Sequence, residues 1–405
     1  MSPYPVDPVY PVEIFFWRAS DRIFRSSTGS RGFGKWLRGT CALTSAAVRS
    51  LRHEDLSWEH KEHEESQLAA AITVVARSRP ECPREPRGTL VCELRMNQID
   101  RFDPALDAIV PSDWRIEKLA EGFEWSEGPV WMSSGSYLLF DDVPGNTMYR
   151  WSQQDGLSVF LKPSGYTGAD PTIFAEPGAN GLFPDGEHTI LMADHGNRMV
   201  ARLDVRTKHK TPLATHFEGK RFNSPNDVIK RRDGVIFFTD PPYGLKGRND
   251  SPHKELPFNG IYRLELDGSL HLLDKDMSFP NGLSLMPDER TLIVANSDPD
   301  RPIWMAFDLD ERGNVIDKRV FADATDLKSE ANPGLPDGLR ITGDGIVFAT
   351  APGGILIMDR TGKRLGLIRT GTAIANCAFG DDGHSLYMTS HHFLARIRLK
   401  ISGYR

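Results

Sequence analysis

Four short words in this chain carry residues that bind hard cations: Glu127 in EGPVW, Asn226 in PNDVI, Asn281 in PNGLS and Asp337 in PDGLR. Each of these residues stands eight positions ahead of a turn residue, namely Gly135, Gly234, Glu289 and Gly345. Two further units offer Asn180, six positions ahead of Gly186, and Asn376, seven ahead of Gly383. A carboxylate at the mouth of an apolar run, as in EGPVW, is costly unless it is paired or metal-bound. Carboxylate and amide oxygens converging on one point are the donors Ca²⁺ prefers, with waters completing the shell. The set holds no sulfur or imidazole, which argues against a closed structural zinc site. Asn and Asp before Gly also make turns. Turn chemistry, however, does not select Glu, and it does not require one offset in four units.

A divalent cation so held can polarise an ester or lactone carbonyl. A neighbouring carboxylate can then take a proton from attacking water. Asp337 is the candidate for both ligand and general base, with Glu127 mainly a ligand. His195, in ADHGN, is a candidate second base or substrate contact, and an ordinary loop histidine is the competing reading. Tyr243, in DPPYG, can stack on or hydrogen-bond a sugar, or simply pack. The chain has no GxSxG elbow and no GxxxxGK[ST] loop (GSRGFGK at 29–35 is followed by Trp36), which disfavours a serine hydrolase and phosphate-cradling chemistry.

The elements that must position these residues are short β-rich runs behind Asp-Gly-type turns. They are SSGSYLLFDD, PDGEHTILMADH, RDGVIFFTD, PDERTLIVANSD, GDGIVFATAP and DDGHSLYMTSHH, with turns near 135, 186, 234, 289, 345 and 383. Most are followed by a second alternating run such as MYRWS, MVARLD or IYRLELDG. Six β-only units at this period predict a six-bladed β-propeller with a central metal-binding channel. No blade can bury both faces of its sheet alone, so neighbours must stack around an axis. The inner strands then line the channel, and their first residues form a ring. The segment WRIEKLAEG (114–122) has no repeat of its own and is expected to complete the last blade.

Residues 1–95 differ in texture. Arginine outnumbers lysine there 12 to 2, and no strand or helix period persists. The best helix is 54–77, on which His60 and His63 lie one turn apart; a solvated charged face explains them better than a metal site lacking a third ligand. RSRPECPREPRG then reads as linker. We expect a poorly structured or partly helical extension over 1–95, a propeller over 96–405, and Met96 as the natural start. The net charge of −6 and the lack of a basic stripe leave no nucleic-acid footprint. No apolar run reaches the roughly 18 residues of a membrane span. Cys41, Cys82, Cys92 and Cys377 include no CxxC pair and read as free thiols in a reducing compartment. With no signal-peptide pattern at the N-terminus, a cytoplasmic location is expected.

The words EGPVW, LLFDDVPGNTMYRW, ADHGNRMVARLD, RFNSPNDVI, FTDPPYGL, FPNGL and LPDGL, in this order, resemble the family that joins gluconolactonase, regucalcin (the senescence marker protein) and luciferin-regenerating enzyme. The resemblance runs from about Met96 to the C-terminus. It implies a six-bladed propeller with one divalent cation, held by Glu127, Asn281 and Asp337, with Asn226 at the metal and in contact with substrate or water. Ca²⁺ is the foremost candidate, and Zn²⁺, Mg²⁺ and Mn²⁺ are also admitted. Regucalcin-like members place an arginine two residues before that asparagine; here Arg221 precedes Asn226 by five and is the candidate substrate anchor. The implied activity is hydrolysis of a small sugar (aldono-) lactone. A non-catalytic calcium-binding propeller, and an organophosphate or ester hydrolase at the same site, are the alternatives.

Overall fold

The structure, a computed structural model, describes residues 97–403. The expectations placed on residues 1–95, on a start at Met96 and on Cys41, Cys82 and Cys92 lie outside the described residues. In the remainder, each turn foreseen from the sequence joins the first two strands of an antiparallel sheet. The first sheet holds Ser126–Met132, Tyr137–Asp142, Thr147–Ser152 and Gly156–Leu161 in spatial as well as chain order. Its inner strand has equivalents in Ala179–Pro184, Val228–Lys230, Pro280–Leu285, Leu339–Ile341 and Asn376–Gly380, each at one edge of its own sheet. These six strands pack one against the next, and the sixth returns to the first. A six-bladed propeller is therefore closed around an axis.

The core lies between the blades. Buried apolar residues fall into clusters that each join two neighbours: Val130 and Leu139 with Leu182 and Ile190, for example, or Ile293 and Trp304 with Leu339 and Val347. The sixth blade meets the first through Ala378, Tyr387 and Leu394 against Trp131, Phe140 and Trp151. Each blade thus supplies half of two cores. Burial of such side chains at about 25 cal/mol per Å² makes blade stacking the main favourable contribution to folding.

Closure works as the sequence predicts. Ile116–Glu121 pairs antiparallel with Phe393–Arg398, Ile116 opposite Ile397, so an N-terminal strand completes a sheet built from the C-terminus. A second early strand, Gln98–Arg101, was not foreseen. It adds a fifth strand to the fifth blade beside Arg364–Arg369, held by Asp100 on Arg369 at 2.7 Å. QIDR has no alternating pattern because it sits half-buried on a sheet edge, where one ion pair and Ile99 decide its register.

The glycines of EGPVW, NGLF, PNGLS and PDGLR have a purpose that turn chemistry does not supply. A Cβ on Gly181 would lie 2.7 Å from the Asn226 carbonyl oxygen, on Gly282 2.2 Å from that of Asp337, and on Gly338 2.0 Å from Asn376 Cγ. None of these three has a left-handed backbone. They are glycines because the next blade's ring residue occupies the space where a side chain would stand. Gly128 combines both demands, with φ +55 and a Cβ position 1.9 Å from the Asn180 oxygen.

Candidate metal centre and active-site cavity

Local bulges aim the ring residues. The inner strands of three blades slip register at the word itself, between Glu127 and Val130, Ala179 and Leu182, and Pro280 and Leu283. A bulge re-aims the side chain at that point instead of letting it alternate with the strand. In five of the six blades a polar residue near the end of the second strand pins the incoming chain. Asp142 accepts from the Glu124 and Trp125 N–H groups, Asp240 from those of Asn223 and Ser224, and Asn296 from that of Phe279. In the fifth and sixth blades Thr350 and Thr389 hydroxyls accept from the Asp337 and Asn376 N–H groups.

So placed, Glu127, Asn180, Asn226, Asn281 and Asp337 share the floor of one cavity of about 540 Å³. That is a typical size for a small-molecule site. Trp125, Tyr243 and Phe279 form its walls and Arg248 its rim. The Tyr243 ring stacks on Phe279 with centroids 5.6 Å apart, its hydroxyl donates to the Ser297 carbonyl at 3.1 Å, and the Arg248 guanidinium lies over it. The sixth ring residue, Asn376, does not line the cavity and instead hydrogen-bonds the Glu127 carboxylate.

The other two predicted contacts stand elsewhere. Arg221 does not line the cavity; its guanidinium donates to the Asn197 carbonyl at 3.0 Å, on a short two-stranded ribbon. His195 is fully buried behind Asn226, its Nε2 3.4 Å from the Asn226 amide nitrogen. Sequence reasoning missed Glu176, Trp125, Arg248 and Phe279 on the cavity wall, and Asp227 beneath the floor. Glu176 sits in AEPGAN, an E-P-G word four residues ahead of Asn180, which was the available signal.

The electrostatics of the floor are unusual. Burial pushes the Glu127 carboxyl up to about 8, and the nearby Asp227 and Glu176 carboxylates push it the same way. Asp337 is raised well above the usual carboxylate range by burial, then by Glu127, Asp227 and Glu176. Asp227 is 1 % exposed, raised by burial, and has an Oδ2 without a hydrogen-bond partner; the Arg340 guanidinium is 3.9 Å away. Buried carboxylates that repel one another are stable as anions only with a compensating cation.

The residues present fit a hard divalent ion. Asn226 turns its amide nitrogen towards His195, which leaves its carbonyl oxygen for the cavity. The Asn281 amide nitrogen donates to Ser297 Oγ at 3.0 Å. Among the described residues no three His, Cys, Asp or Glu side chains are grouped to share an ion. The donor set at the floor is accordingly carboxylates mixed with amides, the oxygen-rich kind that suits Ca²⁺ or Mg²⁺ better than a thiolate–imidazole zinc site.

Known proteins match this chain over the same region. Residues 125–392 match the family described as the SMP-30/Gluconolactonase/LRE-like region. A gluconolactonase of Zymomonas mobilis is 41% identical over 314 residues, covering 76% of this chain and 88% of that protein. The structure of a gluconolactonase from Xanthomonas campestris superposes with a TM-score of 0.64 at 30% identity, covering 74% of this chain and 94% of that one. A calcium-binding regucalcin from Agrobacterium tumefaciens shares the fold, with a TM-score of 0.57 at 18% identity over 71% of this chain and 95% of its own. With its propeller, its match to the family over residues 125–392 and these relatives, the chain belongs to the SMP-30/gluconolactonase/LRE-like family.

Proposed function

We propose that this protein is a metal-dependent hydrolase that opens small sugar lactones of the aldonolactone type. The observation that carries the reading is the pairing of a buried, mutually repelling carboxylate floor with an aromatic-walled cavity sized for one sugar. The 41% identity to a gluconolactonase over most of both chains supports it.

Glu127, Asn226, Asn281 and Asp337 would hold one divalent cation, Ca²⁺ foremost. When bound, such an ion supplies Lewis acidity to a lactone carbonyl. The remaining work falls to the chain. Trp125, Tyr243 and Phe279 offer flat apolar faces to the C–H face of a sugar ring and exclude water from that side. Asp337, on the cavity floor, is the carboxylate that takes a proton from attacking water. Water adds to the carbonyl carbon, the ring C–O bond breaks, and the proton taken from water is returned to the leaving alkoxide. The product is the open hydroxy acid.

Titration of acid release from an aldonolactone, before and after chelation, tests this. Turnover lost with EDTA and restored by a divalent ion supports the hydrolase. Loss of melting temperature with no lactone turnover in any metal state would leave a calcium-binding module instead. Asp337→Asn is expected to lower kcat at least 10²-fold while the protein stays folded. Full activity in that variant, with loss in Glu176→Gln, would move the proton-accepting role to Glu176.

A further inference from the structure

Buried His195 and the partly exposed Glu176 stand in line behind one floor residue. His195 is fully buried, packed where Gly244 leaves room for it: a Cβ on Gly244 would stand 2.9 Å from the His195 Cβ. Its Nε2 faces the Asn226 amide nitrogen at 3.4 Å. Its Nδ1 faces Glu176 Oε2 at 3.2 Å, at an angle that leaves Nδ1 without a hydrogen bond. Glu176 is carried to this point by the loop before the second blade, whose Ala175 and Glu176 N–H groups donate to the Gly244 carbonyl. Gly244 in turn donates to Ser224 Oγ at 2.9 Å, which ties this loop to the segment just ahead of Asn226.

An amide has two ends of equal size and opposite hydrogen-bonding sense. Whether Asn226 offers oxygen or nitrogen to the cavity depends on what its other end meets. An imidazole nitrogen that accepts selects the amide N–H₂ and leaves the oxygen for the cavity; one that donates selects the reverse. A carboxylate facing Nδ1 favours the proton on Nδ1, which leaves Nε2 as acceptor. We propose that Glu176 and His195 are positioning residues that set the amide of Asn226 with its oxygen towards the ring. This makes Asn226 a cation ligand instead of an N–H donor aimed at a cation. The inference rests on the cation-site reading above and concerns how one ligand is oriented.

The test is calorimetric titration of Ca²⁺ into metal-stripped protein, with the cation-free melting temperature measured alongside. Wild type is expected to bind one ion. His195→Leu removes the acceptor and is expected to weaken binding about 10- to 100-fold. His195→Gln places an amide oxygen at about the reach of Nε2 and is expected to stay well within tenfold of wild type. Glu176→Gln keeps a carbonyl oxygen able to face Nδ1 and binds nearly as wild type, whereas Glu176→Leu loses about tenfold. The Glu176 pair carries the test if His195→Leu does not fold, since Glu176 is partly exposed in the cavity. A purely structural role would make each pair alike in affinity and would overturn the proposal, as would His195→Leu binding within twofold of wild type. Wild type that binds no divalent ion would instead overturn the cation site itself, and this inference with it.

Discussion

Glu127→Gln gives the sharpest test of the floor. In the cation-free protein burial pushes the Glu127 carboxyl from its ordinary 4.5 to about 8. Between those values the folded chain holds more protons than the unfolded chain, so stability falls as pH rises through that window. Integrated to pH 7, the loss is roughly 3 kcal/mol. Asp337 shares part of that repulsion, and Gln replaces an acceptor of the Gly128 N–H, bonded at 2.9 Å, with a weaker one. The variant should therefore recover about 1–3 kcal/mol at pH 7, or ~2–5 °C of melting temperature for a body of about 300 residues.

The assay is thermal or denaturant unfolding of metal-stripped wild type and variant at pH 5 and pH 8, with and without Ca²⁺. Wild type should lose stability from pH 5 to pH 8 without the ion and regain it with the ion. The variant should show a flatter profile and little response to Ca²⁺. A removed ligand that makes the apo protein more stable is the signature of a carboxylate kept for binding and not for folding. Apo Glu127→Gln less stable than apo wild type at pH 8, with an undiminished Ca²⁺ response, would refute the reasoning.

Two further outcomes follow from the geometry. Gly338→Ala places a Cβ 2.0 Å from Asn376 Cγ, so the fifth and sixth blades must part at the axis; a loss of about 1–3 kcal/mol in denaturant unfolding is expected, with weaker Ca²⁺ binding. A variant as stable as wild type would show that the close approach is not needed. Trp125→Ala removes a half-buried cavity wall and is expected to raise KM for a sugar lactone several-fold more than it lowers kcat, read by steady-state kinetics. An unchanged KM would place the sugar elsewhere.

Much of the architecture was legible in the chain because a propeller repeats itself. Six turns at a similar period, each opening a β run, fix the number of blades. WRIEKLAEG stood outside the repeat and was assigned its closing place for that reason. That Glu127, Asn226, Asn281 and Asp337 come to one cavity was foreshadowed by their shared offset of eight from the turn. Glu289, in place of glycine, adopts the left-handed backbone that Gly234 and Gly345 adopt at the same offset, with φ +58. Gln98–Arg101 escaped notice because an edge strand pinned by one ion pair leaves no pattern.

The sequence alone determined the fold, the axis and the residue types gathered around it, because those depend on local periods read along one dimension. Tertiary structure decided which side chains share a cavity. It moved Arg221 away, buried His195 behind Asn226, and brought in Glu176, Trp125, Arg248 and Phe279 from loops of different blades. Trp125 and Phe279 follow the repeat, each two residues ahead of a floor residue, whereas the loops carrying Glu176 and Arg248 do not. Distances across the channel are set by how blades stack. It also gave the glycines their reason. A glycine beside Asn or Asp looks like a turn in one dimension, and only the neighbouring blade, pressed to within 2.0 Å of the missing Cβ at Gly338, shows that it is a point of contact.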